Sequence, residues 1–213
     1  MKKKMIASIF AASLVVGALS FQLIPTLLGK ELIHSDGSIP YKDKTTLVGE
    51  ADVIVSGTVS EVLPSKWSNP DGSRGADVSN ILQTDIVVSV NKTFKGNPTK
   101  SDSVVIRIDS GETKGVKVIS EGYPSFEKGE EVLVFLSRDD SDVANTNEDY
   151  YILTGMLQGK YNLKEKNADK KIFKGVRDEI DPSTFTNEIP KEIEKFKDRP
   201  KMKDAKLYHI VYY

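Results

Sequence analysis

The chain has 213 residues, with 30 Lys and Arg against 31 Asp and Glu, two histidines and no cysteine. The missing thiols exclude a disulfide scaffold, a thiolate zinc site, a cysteine nucleophile and a lipid-modified N-terminal cysteine. Lysines are interspersed with acids, as on a solvated surface, and this excludes the basic footprint of a nucleic-acid binder.

Lys2, Lys3 and Lys4 precede the apolar run Met5 to Leu19, and Ala18 and Ser20 form a small-residue cleavage site before Phe21. This is the plan of an export signal. The stretch from Met5 to Leu28 holds 24 residues without a charge, which is also long enough to cross a bilayer with some tilt. Residues 1–28 therefore read as a signal peptide or a membrane anchor, with Gln22 and Pro25 weighing toward cleavage. Either reading keeps the lysines on the cytoplasmic side and directs the rest of the chain, secreted or anchored, out of the cytoplasm. Without Lys2, Lys3 and Lys4 that remainder carries a net charge of −4.

Residues 29–44, with Asp36-Gly37 and Pro40, read as a polar, turn-rich spacer. Thr45 to Ala51 predicts one helical turn. From Asp52 to Leu63 the period becomes two, with Val53, Val55 and Val59 opposite Ser56, Thr58 and Ser60, and Gly57 marks a bulge or bend. Ile81 to Phe94 alternates more clearly, with Leu82, Ile86, Val88, Val90 and Phe94 on one face, and a turn at Lys95-Gly96-Asn97-Pro98 closes it. A third strand is predicted at Ser103 to Asp109, with Val104, Ile106 and Ile108 inward and Arg107 outward. Val116 to Ile119 is a short strand. Glu131 to Ser137 is apolar on both faces and must be covered on both. Further strands are predicted at Tyr150 to Thr154 and Leu157 to Leu163, with an edge at Ile172-Phe173. Residues 187–198 turn helical, with Ile189, Ile193 and Phe196 on one face, Asn187 as cap and Pro190 in the first turn. The tail Ala205 to Tyr213 is apolar and β-prone.

Strands separated by turns, without βαβ alternation, predict a mainly β fold: an OB-like barrel of five to six strands over residues 45–176, followed by a C-terminal helix and tail over 177–213. The order of Ala51-Asp52-Val53-Ile54-Val55-x-Gly57-x-Val59, the strand ending Phe94-Lys95-Gly96, the strand Val104 to Ile108 and Phe126-x-Lys128-Gly129-Glu130-x-Val132 to Leu136 carries a resemblance. It resembles exported bacterial proteins with an OB-like barrel, and it is similar to the netrin and metalloproteinase-inhibitor N-terminal modules over residues 51–137. The resemblance implies a fold and a binding role in preference to catalysis. In the inhibitors an N-terminal cysteine chelates the protease zinc; this chain has no cysteine, so that activity does not carry over.

The residues that bear on chemistry are few. The loop Pro64 to Asn80 contains the single tryptophan, Trp67, and an Asp71-Gly72 turn followed by Arg74; in OB barrels this connection faces ligands, and its alternative role is to cap the barrel. Trp67, Asp71 and Arg74 are thus the candidate ligand contacts. Asp139 to Asp149 is rich in oxygens but misses the calcium-loop template at Ala144, lacks its glycine and misplaces its glutamate, so a solvated hairpin is expected. Ser-x-x-Lys occurs at Ser89/Lys92 and Ser125/Lys128, but 20 serines and 25 lysines make about two such matches expected by chance. His34 and His209 lie far apart in sequence, without a third ligand type. Tyr123, Phe126, Tyr150, Tyr151 and Tyr161 could stack a sugar or peptide, or pack a core or rim.

The expected function is that of a non-enzymatic extracytoplasmic module, without cofactor or metal, that binds a protein or an envelope polymer. The rivals are an envelope hydrolase using Asp139, Asp142 or Glu148, and a structural or stress-related surface protein.

Overall fold

The computed structural model describes residues 29–75, 80–141, 144–167 and 170–199. The strands are β1 (Glu31–Ser35), β2 (Val53–Val62), β3 (Lys66–Trp67), β4 (Leu82–Lys95), β5 (Ser103–Ile108), β6 (Gly111–Glu112), β7 (Val116–Ser120), β8 (Glu131–Ser137), β9 (Ile152–Leu153), β10 (Lys160–Asn167), β11 (Lys170–Lys174) and β12 (Glu179–Ile180). Two α-helices, α1 (Lys44–Glu50) and α2 (Pro182–Lys197), complete a mainly β architecture. None of the helices is long and apolar enough to cross a membrane among the described residues. Residues 1–28, read from the sequence as a signal peptide or membrane anchor, and the tail beyond Arg199 lie outside them.

The chain forms two compact units that interleave in sequence. The first draws on residues up to Gly37, on Leu63–Asp85 and on Ile108–Tyr123; the second on Ser38–Val62, Ile86–Arg107 and the chain from Pro124 onward. In the first unit β1 runs parallel to β7, which pairs antiparallel with β6. The segment read as a spacer thus contributes a strand, since its apolar Leu32 and Ile33 find a partner 85 residues downstream in register with Lys117 and Val118. β3 pairs with the first residues of β4, Trp67 opposite Leu82.

In the second unit the sheet runs β12–β11–β10–β8–β2–β4, with β5 paired to β4 and β9 to β8. None of the sheets formed by the described residues is closed into a barrel along these ladders. The pairing of β2 with β4 slips at three places, between Ile54 and Val55, Ser56 and Gly57, and Val59 and Glu61. Each slip interrupts the regular register of the pair. Gly57 makes one of them feasible: a Cβ there would stand 2.2 Å from the Ser89 carbonyl oxygen.

β8 is buried from Val132 to Leu136. Leu133 and Phe135 join Leu47, Val48, Ile54, Tyr161, Phe173, Phe185 and Ile189 in one apolar cluster that brings both helices onto the sheet. Phe135 packs against Tyr161 and Phe185 with ring centroids 5.5 and 6.1 Å apart, and Phe94 reaches Phe185 at 5.4 Å.

Several elements depart from the sequence reading. α2 starts at Pro182, capped by Asp181, whose side chain accepts from Ser183 N at 3.0 Å. Pro190 therefore sits inside the helix, where it removes an amide donor. The predicted strand at Leu157 begins instead with a 3₁₀ turn, Met156–Gly159, entered through positive φ at Gly155 and Met156. Of Tyr150 to Thr154 only Ile152–Leu153 forms a ladder, with Tyr151 joined to Ile106 by a single parallel bridge. Arg107, expected to face solvent, is 4% exposed. The reason is that the returning chain, held along the strand edge by Arg107 N to Tyr151 O and Tyr151 N to Val105 O at 2.8 Å each, lays the Tyr150 ring 3.8 Å from the Arg107 Cζ and brings Glu148 to its guanidinium.

Gly57→Ala drives its methyl into the backbone of β4 and is expected to lower stability by about 1–3 kcal/mol. Gly37→Ala, with nothing within 4 Å of the new carbon, serves as control. Thermal melts of the two variants check this: a large loss confined to Gly57→Ala is the expected outcome.

Candidate functional site

The three residues singled out in the sequence stand in the first unit. β3 holds Trp67, half-buried, and the chain then turns back, with Ser68 N donating to Ile81 O at 2.8 Å and Gly72 N to Asn69 O at 2.8 Å. Asp71 is used within that turn: its Oδ1 accepts from Ser73 N at 2.9 Å and Ser73 Oγ at 2.7 Å. The Ser73 hydroxyl, with its amide, holds the Asp71 carboxyl below the usual value. Arg74 comes back to Trp67, its Cζ 5.3 Å from the ring centroid. The same guanidinium clasps Glu31, Nη1 to Oε2 at 2.7 Å and Nη2 to Oε1 at 3.1 Å. That fork lowers the Glu31 carboxyl and raises Arg74.

The structure thus brings Trp67 and Arg74 together and leaves Asp71 as a turn-former. It adds Glu31, which sequence reading missed because its strand lay in the presumed spacer. The result is an open aromatic–cation–carboxylate surface, with Arg74 and Glu31 both about half exposed.

The acidic stretch belongs to the second unit and is organised by Arg107. Its Cζ lies 3.8 Å over the Tyr150 ring, and Nη2 forms an ion pair with Glu148. Tyr150 OH donates to Asp139 Oδ2 at 2.6 Å and accepts from Asn145 N at 3.0 Å. Burial raises the Tyr150 phenol, and its bond to Asp139 adds to the rise. At Asp139 burial pushes upward, but the bonds from Tyr150 and Ser141 outweigh it and hold the carboxyl below its ordinary value. Asp142 lies outside the described residues. Among those described, no group of three His, Cys, Asp or Glu is placed to hold a metal ion.

Most of the aromatics considered as a stacking platform have cations over their faces. Lys160 Nζ is 4.3 Å from the Phe126 centroid, and Arg138 Cζ is 4.5 Å from that of Tyr151. Tyr161 is buried and donates to Asp178 Oδ1 at 2.7 Å. Burial, assisted by that carboxylate, pushes its phenol far above the ordinary range. Beside Asp178 lies a shallow depression. Its rim carries Tyr41 and Val176, with Arg177 Cζ 4.5 Å over the Tyr41 ring. Lys42 and Lys44 border it and pair with Glu50 and Glu188. Sequence reading missed this depression, because Tyr41 lies in the polar spacer and Val176-Arg177 in a turn.

In comparison with known proteins, no family model and no curated protein matches the chain.

The Asp139–Tyr150 bond gives a pH signature. Asp139 titrates lower in the folded chain, so its contribution to stability is present above the unfolded value, about pH 4. It is lost as pH falls through the lowered folded value. Tyr150→Phe removes the donor, and is expected to cost about 1 kcal/mol at neutral pH and to flatten the loss on acidification. Urea melts across the acid range measure both effects; an unchanged acid limb would count against the assignment.

Proposed function

We propose that this chain is an exported, non-enzymatic binding module built on an OB-like barrel, and that it meets a protein or an envelope polymer through Trp67 and Arg74. The observation that carries the reading is the open Trp67–Arg74–Glu31 surface. A half-buried indole with a guanidinium over it, itself held by a carboxylate, is a preorganised contact of the kind that concentrates binding energy.

The strand pairing supports the barrel. β8 pairs with β2, β2 with β4 and β4 with β5. The parallel bridge Ile106↔Tyr151 then leads to β9, which pairs back to β8. This strand order, with one isolated parallel bridge and without closure along the ladders, is in keeping with the partly open plan of an OB fold. Export is supported by Lys2 to Lys4 and the uncharged run after them.

Binding is favoured over hydrolysis by the state of Asp139. A general acid works with a raised carboxyl, and here the hydrogen bonds move it the other way. Glu148 is committed to Arg107.

Trp67→Ala is expected to abolish co-purification of the partner while leaving the melting temperature unchanged; an unaltered pull-down refutes the assignment. The export reading is checked by mass spectrometry of the chain recovered from its cell envelope. A mature N-terminus at Phe21 identifies a cleaved signal, and an intact Lys2–Lys4 segment in the membrane fraction identifies an anchor.

A further inference from the structure

In the first unit β1 is an edge strand with one open side among the described residues. It pairs with β7 and ends the sheet there. Two bonds fix the direction of its main-chain groups: Glu31 N donates to Gly115 O at 2.9 Å, and Ser35 O accepts from Glu121 N at 3.1 Å. Along a strand the residues that bond one neighbour alternate, so Glu31, Ile33 and Ser35 face β7. Leu32 and His34 turn their N–H and C=O groups outward.

Other sheet margins among the described residues are short or occupied. β3, β6, β9 and β12 have two residues each. Glu112 N of β6 donates to Ser65 Oγ at 2.9 Å, and β5 carries the main chain of Tyr151 along its margin. β1 has five residues, none of them proline, and Leu32 is 54% exposed. Such an edge is a template for a further strand.

The sequence around β1 points to the occupant. In Lys30-Glu31-Leu32-Ile33-His34-Ser35-Asp36, Ile33 is the midpoint between Leu32 and His34 and between Lys30 and Asp36. An antiparallel copy of β1, related by a two-fold at Ile33, sets each Leu32 against His34 of the second copy. Those two residues then exchange both of their outward main-chain bonds. The same register sets each exposed Lys30 against an exposed Asp36, and opposite charges facing each other stabilise an antiparallel pair. Lys30 already lies on the sheet face of Leu32: it pairs with Glu112, which stands level with Lys117, as does Leu32.

We propose that β1 is the surface through which two copies of this chain associate, by antiparallel β1–β1 pairing about Ile33. The three-stranded sheet of one copy continues into that of the other. This contact is independent of the binding role given to Trp67, which stays in place on its own strand.

The absence of cysteine makes the register testable in the full chain. Ile33→Cys places two thiols across the two-fold, where the Cα atoms of a non-hydrogen-bonded pair stand about 4.5 Å apart, within reach of a disulfide. Val62→Cys, at an exposed position of β2, is the control. Under mild oxidation Ile33→Cys is expected to give a disulfide-linked dimer at least about tenfold faster than the control. Equal rates overturn the proposal. Sedimentation velocity up to about 1 mM, a range suited to a small interface, reads association without a crosslink. Asp36→Lys and Lys30→Asp each oppose like charges and are expected to weaken self-association about tenfold. An equimolar mixture of the two restores it, because opposite charges again face each other at both positions. Both substituted residues are exposed, so this arm holds even if Ile33→Cys loses stability. A chain that sediments as a monomer throughout overturns the proposal and leaves the β1 edge to another polypeptide. Self-association that ignores both charge variants, or that the mixture does not restore, overturns it as well.

Discussion

A strand with no solvent face imposes most of what surrounds it. Val132 to Leu136 are all fully buried, and apolar side chains on both sides of a strand require cover on both sides. On one side Leu133 and Phe135 are covered by α1 and α2. Burying each such side chain contributes about 1.5–3 kcal/mol, an upper estimate because an unfolded chain already hides some of its apolar surface. The helices are thus held by the sheet more than by their own propensity: α1 has seven residues, and helices so short are marginal in isolation. Phe185 and Ile189, on the face that meets β8, set where α2 lies.

The burial of this strand was legible because it needs no partner to be recognised. EVLVFLS is apolar at consecutive positions, and its length is that of a strand. The clearest parts of β2, β4 and β5 were legible for the related reason that alternation survives one solvated face. What escaped were features decided by residues distant in sequence. Arg107 sits in an alternating strand and reads as solvent-facing; only the return of Tyr150 and Tyr151, more than forty positions later, covers it. Glu31 could not be recognised as a partner of Arg74 without the parallel pairing of its strand. The start of α2 was written locally in Asp181-Pro182-Ser183, a cap followed by proline at the first helical position. Pro190 competed for that role, and tertiary packing overrode its cost in the helix interior. At the candidate site the loop carrying Trp67 and Arg74 was legible from composition, whereas the depression of Tyr41 and Val176 arises from two segments unremarkable in themselves.

The second unit also withdraws Arg107 and Lys160 from water, and Lys95 in part, each with a different solution to the same cost. Lys95 donates to the carbonyls of Val48, Gly49 and Ala51, satisfying acceptors at the end of α1. Lys160 is bound by both oxygens of Glu130 at 2.8 Å and by Ser125 O at 2.6 Å. Arg107 is sandwiched between Tyr150 and Glu148. Burial lowers the ammonium pKa of Lys95 and Lys160, so their partners are what keep the charged form in place. Buried charges of this kind add little net stability, but removing a partner leaves a large penalty.

The long sequence separation of the core contacts has a consequence for the order of events as the chain emerges N-terminus first from a ribosome. β2 needs β8 beside it, and Leu47 needs Phe185 and Ile189 in its cluster. The central core therefore closes only after more than 130 further residues have followed α1. Loops of that length are slow to close although the entropic cost grows gently with size. Early segments remain without their partners for most of synthesis. A core built this way closes only once α2 is out.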